Sequence, residues 1–205
     1  MFKSLILLIT LIGLISCGNW AILVAGSHTW SNYRHQADIY HAYKVLTGAG
    51  FPADNIITFA YDDIAHNLKN PFKGKVFNKP TFKDPGVDVY ENVKIDYSKA
   101  TVEPAIFLDV LLGNKTAVKG KGSERVLEST KDDNVFIFFS DHGAPGLIAF
   151  PNKYLYADSL VQTFAKMNGR YKKLVFYLES CESGSMFQKL PTNTFIYAVS
   201  AASPD

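Results

Sequence analysis

Asn134-Val-Phe-Ile-Phe-Phe-Ser140, running directly into Asp141-His142-Gly143, is the stretch that decides the fold. Its apolar residues are consecutive rather than alternating, so both faces of a strand would be hydrophobic. That suits a central strand of a parallel sheet covered on both sides. Runs at residues 20–25 and 173–178 have the same character, and shorter ones lie at 56–60 and 194–199. Between them fall segments of helix length. Residues 34–47 carry Ala37, Tyr40, His41, Val45 and Leu46 at roughly helical spacing and end on Gly48 and Gly50. Residues 102–112 have Pro104 in the first turn, where a missing amide is tolerated, and 157–167 form a third. Strands alternating with helices predict an α/β fold with a mostly parallel central sheet. Residues 62–96 are rich in Asn, Lys, Pro, Gly and Asp and predict an extended surface region, of the sort that binds or moves.

The chain has 205 residues, 47% of them hydrophobic, which is enough for one sizeable globular domain. Twenty-one basic and 19 acidic residues are spread along it, so no basic stripe exists to neutralise a phosphate backbone, and nucleic acid is not an expected partner. Met1-Phe2-Lys3, the apolar run from Leu5 to Ile15 and the small residues Ser16, Cys17 and Gly18 have the parts of a secretory signal peptide. The run is shorter than the roughly 20 apolar residues of a spanning helix, so residues 1–17 are expected to be removed and no stable membrane anchor is expected in this chain. Residues 18–205 would then form the domain. Cleavage after Cys17 leaves Cys181 as the single cysteine of an exported chain, a thiol that calls for a use. Asn114-Lys115-Thr116, in a small loop at 113–123, is a glycosylation sequon consistent with export.

In open α/β sheets, ligands bind beyond the carboxyl ends of the strands. Three strands end there in chemically loaded loops: Ser27-His28, with Asn32, Arg34 and His35 close behind; Asp141-His142-Gly143; and Glu179-Ser180-Cys181-Glu182-Ser183-Gly184. If these strands are parallel neighbours, Cys181 and His142 share one edge. A thiol with a pKa of about 8.5 needs an imidazole to take its proton, and Gly143 lets backbone approach a developing oxyanion closely, with the Cys181 amide as a second donor. A lone cysteine after a strand is more often a buried hydrophobe, but Glu179, Glu182, Ser183 and Gly184 are poor core residues and argue for an accessible loop. His28, His35, His41 and His66 are rival bases. His41 sits on the first helix and His66 in the polar loop, which leaves His28 and His35 as the rivals nearest the edge. No Cys-x-x-Cys or His-x-x-x-His spacing occurs near that edge, so neither a metal site nor a cofactor is expected.

Ser-Asp-His-Gly at 140–143, Glu-Ser-Cys-Glu-Ser-Gly-Ser-Met at 179–186, Asn-Tyr-Arg-His-Gln-Ala-Asp at 32–38 and Tyr-Asp-Asp-Ile-Ala at 61–65 closely resemble the legumains, the asparaginyl endopeptidases. Val-Phe-Asn-Lys-Pro at 76–80 and Asp-Val-Tyr at 88–90 also fit, and the resemblance runs from about Trp20 to the last residue. It implies a caspase-like three-layer α/β sandwich and cleavage of proteins or peptides after asparagine, with aspartate accepted at lower pH. By position, it implies that Cys181 is the nucleophile, His142 the general base, Asn32 the residue orienting the imidazole and Gly143 the oxyanion position. It places Arg34, His35 and Glu179 in the pocket for the substrate side chain, with Asp141 at a position where legumains can carry a modified aspartate. It also implies cystatin-type inhibitors and residence in the lysosome, the vacuole or outside the cell. Legumains continue past residue 205 with more of the pocket wall, a final strand and a blocking prodomain, so the C-terminal part of the domain is expected to be missing here. Amine capture of the acyl-enzyme would make the protein a legumain-like ligase. The transamidase that attaches glycosylphosphatidylinositol shares the His and Cys blocks, and a non-catalytic pseudoenzyme or binding module is the reading from another class.

Overall fold

The computed structural model describes residues 18–79 and 86–205; the expected signal segment lies outside them. The described residues form eight strands: β1 (Asn19–Ala25), β2 (Ile56–Phe59), β3 (Asn134–Ser140), β4 (Gly143–Ala144), β5 (Leu147–Ala149), β6 (Tyr154–Tyr156), β7 (Lys173–Glu179) and β8 (Ile196–Ser200). Three α-helices accompany them among the described residues: α1 (Tyr33–Gly48), α2 (Pro104–Leu111) and α3 (Ala157–Lys166). The main sheet runs β2-β1-β3-β7-β8 and every pairing in it is parallel. The chain is thus α/β with β3 at the centre of its sheet, as its continuous apolar run predicts.

Alternation along the strands divides the core in two. Ile22 and Val24 of β1, with Ile137 and Phe139 of β3 and Phe176 of β7, pack under α2 and α3 through Phe107, Val110, Leu160 and Phe164. Ala21, Leu23 and Ala25 turn to the other face and meet α1 through Ala37, Ile39, Tyr40 and Tyr43. Helix, sheet and helix form three layers. On α1 the buried stripe differs from the expected one: Gln36, Ile39, Tyr40 and Tyr43 are buried, while Val45 is 56% exposed and His41 is exposed on the cleft side. Pro104 occupies the first turn of α2, where its lack of an N–H breaks no helix hydrogen bond.

Two features depart from the sequence reading. Strands β4, β5 and β6 form a small antiparallel sheet beside the main one. The segment from 62 to 96 has no regular element among its described residues, yet it is not simply a surface excursion. It buries Ile64, Ala65, Val76 and Val89 against the α1 layer. Asn70, 4% exposed, pins it: Nδ2 donates to the carbonyls of Ile64, Ala65 and Lys75, and Oδ1 accepts from Phe72 N–H. Asp96, at the segment's end, accepts from Thr58 N–H of β2 and pairs with Arg125 at 2.9 Å. No described helix is long and apolar enough to cross a membrane.

Candidate active site

The register of the parallel strands fixes the site. Ala25 pairs with Ser140, and Ser140 with Glu179, so the loops at 26–28, 141–143 and 180–182 leave the sheet side by side. Gly26 N–H donates to Ser140 O at 3.1 Å and Asp141 N–H to Glu179 O at 3.0 Å, extending the ladder by one step into the loops. Close packing there requires glycine at two positions. A Cβ on Gly26 would lie 2.5 Å from an Asp141 carboxylate oxygen, and one on Gly143 would strike the Cys181 carbonyl oxygen and lie 2.8 Å from Ser180 Oγ.

Cys181 is a free, exposed thiol. The chain turns sharply after it because Glu182 adopts a left-handed conformation at φ 48°. The following turn of 3₁₀ helix (Ser183–Phe187) is clasped from below: Gly184 N–H donates to Ala202 O, and Ala202 N–H to Ser183 Oγ. His142 is also exposed, and its Nε2 lies 2.9 Å from Asn32 Oδ1. The Asn32 amide is itself oriented, since Nδ2 donates to the His28 carbonyl at 2.9 Å. Its oxygen therefore faces the ring as an acceptor, Nε2 carries the proton, and Nδ1 is left with the lone pair.

Asn32 owes its place to a turn the sequence reading missed. Thr29 sits at φ 76°, unfavourable for a β-branched residue, and is held there by Asp63, whose Oδ2 accepts Thr29 N–H at 2.7 Å. Asp63 Oδ1 accepts from Gln36 Nε2 at 2.7 Å, anchoring the same carboxylate to α1. Asp63 lies in the Tyr-Asp-Asp-Ile-Ala block, but only the fold shows what it touches. Next to it, Asp62 is half-buried and its pKa is raised by burial, against the lowering effect of the Tyr90 hydroxyl donating to it. Burial and that same contact push the Tyr90 phenol up to about 12.

A cleft of about 680 Å³ opens at this edge, lined by Arg34, His35, Asp38, Ser140, Asp141, His142, Glu179 and Cys181, with Phe136, Phe138 and Tyr177 as its apolar floor. Arg34 and Glu179 are exposed in it. His35 is buried instead: its Nδ1 lies 2.7 Å from Ser27 Oγ and 3.2 Å from Asp141 Oδ1. Asp38 on α1 accepts from both Ser140 Oγ and Asn78 Nδ2, tying the cleft wall to the long segment. Of the rival bases, His28 packs against Tyr61 with ring centroids 4.8 Å apart and His66 lies edge-on to Tyr90, neither lining Cys181's cleft, while His41 does line it. Asn114 is exposed in its loop, outside the cleft, with Nδ2 donating to Asp109.

An α/β sheet whose carboxyl edge gathers an exposed thiol and an amide-oriented imidazole in one cleft defines a class of thiol-and-imidazole proteins. Comparison with known proteins makes the class specific. The Peptidase C13 family matches residues 19–205, and the chain belongs to that family. It is 52% identical over 189 residues to a hemoglobinase of Schistosoma japonicum, covering 91% of this chain and 43% of that protein. It is 48% identical over 189 residues to a legumain of Rattus norvegicus, covering 91% and 42%. The vacuolar-processing enzyme beta-isozyme 1 of Oryza sativa subsp. japonica is 48% identical over 187 residues, at 89% and 37%. The chain thus spans about two fifths of the length of these relatives.

Proposed function

We propose that this chain carries the catalytic centre of a cysteine endopeptidase that cleaves proteins on the carboxyl side of asparagine. The observation that carries the reading is the chain of contacts from the His28 carbonyl through Asn32 to His142, which leaves Nδ1 free to take a proton in the cleft that Cys181 shares. His142 Nδ1 accepts the thiol proton as Sγ attacks the substrate carbonyl. The amides of Gly143 and Cys181 stabilise the oxyanion. The imidazolium then protonates the leaving amine, and water, deprotonated by the same ring, hydrolyses the thioester.

Selectivity for asparagine follows from Arg34 and Glu179 in the same cleft. A carboxylate accepts from the side-chain NH₂ while a guanidinium donates to its oxygen. Aspartate fits only when protonated, since its carboxylate would face Glu179. His35 and Asp141 shape the inner wall. Asn114 is the proposed glycan acceptor, residues 1–17 the proposed signal peptide, and the proposed destination is the lysosome, the vacuole or the exterior. Inhibitors of the cystatin type would occupy the same cleft.

The test is hydrolysis of an Ala-Ala-Asn fluorogenic peptide at about pH 5.5 by protein expressed from the complete reading frame, beside Cys181→Ala and His142→Ala. Each substitution is expected to lower kcat by orders of magnitude. Equal hydrolysis of Ala-Ala-Asn and Ala-Ala-Gln peptides, or activity surviving Cys181→Ala, would refute the reading.

A further inference from the structure

The cleft holds a second chemical feature that the proposed reaction does not use. Asp141 has a side chain only 1% exposed, and neither of its carboxylate oxygens accepts a hydrogen bond. Its polar neighbour is His35 Nδ1 at 3.2 Å, and the Ser27 hydroxyl takes the shorter contact to that same nitrogen. An ionised carboxylate so placed is under-solvated and calls for positive charge.

The His35 and His142 rings stand edge to face with centroids 5.0 Å apart, and one ligand atom each from His35, Asp141 and His142 lie within 4.8 Å of one another. All three residues line the open cleft, where exposed His142 is the point of entry to the buried His35 and Asp141. The spacing rule that argues against a metal from sequence does not apply to this group, because His35 comes from α1 and the other two from the loop after β3.

We propose that His35, Asp141 and His142 form a binding site for a divalent cation of the zinc type. Two imidazoles and one carboxylate are a borderline donor set that suits zinc and disfavours the oxygen-seeking calcium and magnesium. Three such ligands with water in the fourth position are the usual composition of an open zinc site. With zinc bonds of about 2.1 Å, tetrahedral ligand atoms stand roughly 3.4 Å apart, so the group must close by up to about 1.4 Å. Exposed His142 is free to supply that motion. One outer contact is already in place: Asn32 accepts the His142 Nε2 proton and leaves Nδ1 to coordinate. A cation held there occupies the lone pair that would receive the Cys181 proton, so the bound state is a reversible off state for the thiol.

The experiment is calorimetric titration of the purified protein with zinc chloride, repeated with cobalt chloride to read the visible ligand-field spectrum, on the parent and on Cys181→Ala, Asp141→Asn and His35→Gln. One cation per chain is expected, removed by EDTA. Affinity should be retained in Cys181→Ala and weakened at least about tenfold in Asp141→Asn. Circular dichroism checks that the variants are folded; if His35→Gln is not, Asp141→Asn decides alone. Loss of binding in Cys181→Ala with affinity unchanged in Asp141→Asn would overturn the assignment in favour of simple thiolate capture, as would no binding by the folded parent. The readout is independent of peptidase activity.

Discussion

Gly143→Ala is the sharpest perturbation of the proposed centre, because a single methyl group meets the nucleophile's own backbone. The added Cβ would lie 2.8 Å from Ser180 Oγ, about 0.6 Å short of ordinary contact at 3.4 Å, and closer still to the Cys181 carbonyl oxygen. Ser180 Oγ can swing away, but the carbonyl can move only with its loop. That loop is clasped by Ala202 behind it and fixed by the left-handed Glu182, so the strain moves Cys181 against His142 instead of dispersing. Displacing a reacting group by about an ångström costs on the order of 10²-fold in rate. Overpacking at one site costs about 1–3 kcal/mol of stability, which a domain of this size survives. The expected result is a fall of roughly 10²-fold in kcat on the asparaginyl peptide with a cooperative melt retained. Steady-state kinetics and a thermal scan on the same preparation read both. A Gly143→Ala enzyme with unchanged kcat would refute the placement of the oxyanion position and the rigidity assigned to the 180–182 loop.

Three further outcomes follow from contacts outside the reacting groups. Asp63→Ala frees Thr29 N–H and Gln36 and should lower kcat about 10-fold or more through Asn32, with KM little changed and Asp63→Asn intermediate; equal losses in KM alone would contradict the positioning role. Asn70→Ala, removing the pin of the long segment, should cost about 2–4 kcal/mol and speed amide exchange at Val76 and Val89, read by denaturation and hydrogen exchange. Burial would raise the Asp133 pKa, but Thr130 N–H and Oγ–H and Gly18 N–H all donate to it and hold it below the ordinary value. With a lowered folded pKa, its stabilisation is complete above the unfolded value of about 3.9 and is lost as pH falls through the folded one. Asp133→Asn should therefore melt earlier than the parent at neutral pH, with the gap closing below about pH 4.

Much of this architecture was legible in the residues because central parallel strands leave a strong trace. Strand β3 matches its apolar run, and β1, β7 and the three helices fall within a residue or two of their expected limits. The buried stripe of α1 was misjudged because one side of that helix borders the cleft, so Val45 and His41 keep helical spacing without being core. Strands β4 to β6 are two or three residues long and are broken by Pro145, Gly146 and Pro151, too short for periodicity to register. The long segment follows no period at all, since Asn70 holds it through side-chain bonds to nearby backbone of the segment itself and Asp96 through a bond to the distant Thr58 N–H. The same limit applied at the cleft. The strand-end rule points to Cys181 and His142, but the pairing of His35 with Asp141 and the reach of Asp63 to Thr29 join residues far apart in sequence and leave no local pattern.

The most direct test of the central claim is covalent trapping with an Ala-Ala-Asn peptide bearing a thiol-reactive electrophile in place of the scissile bond, followed by peptide mapping in a mass spectrometer. A single adduct on Cys181, slowed in His142→Ala and blocked by excess asparaginyl peptide, is the predicted result. No adduct on the folded protein, or one formed equally fast from the Ala-Ala-Leu analogue, would contradict it.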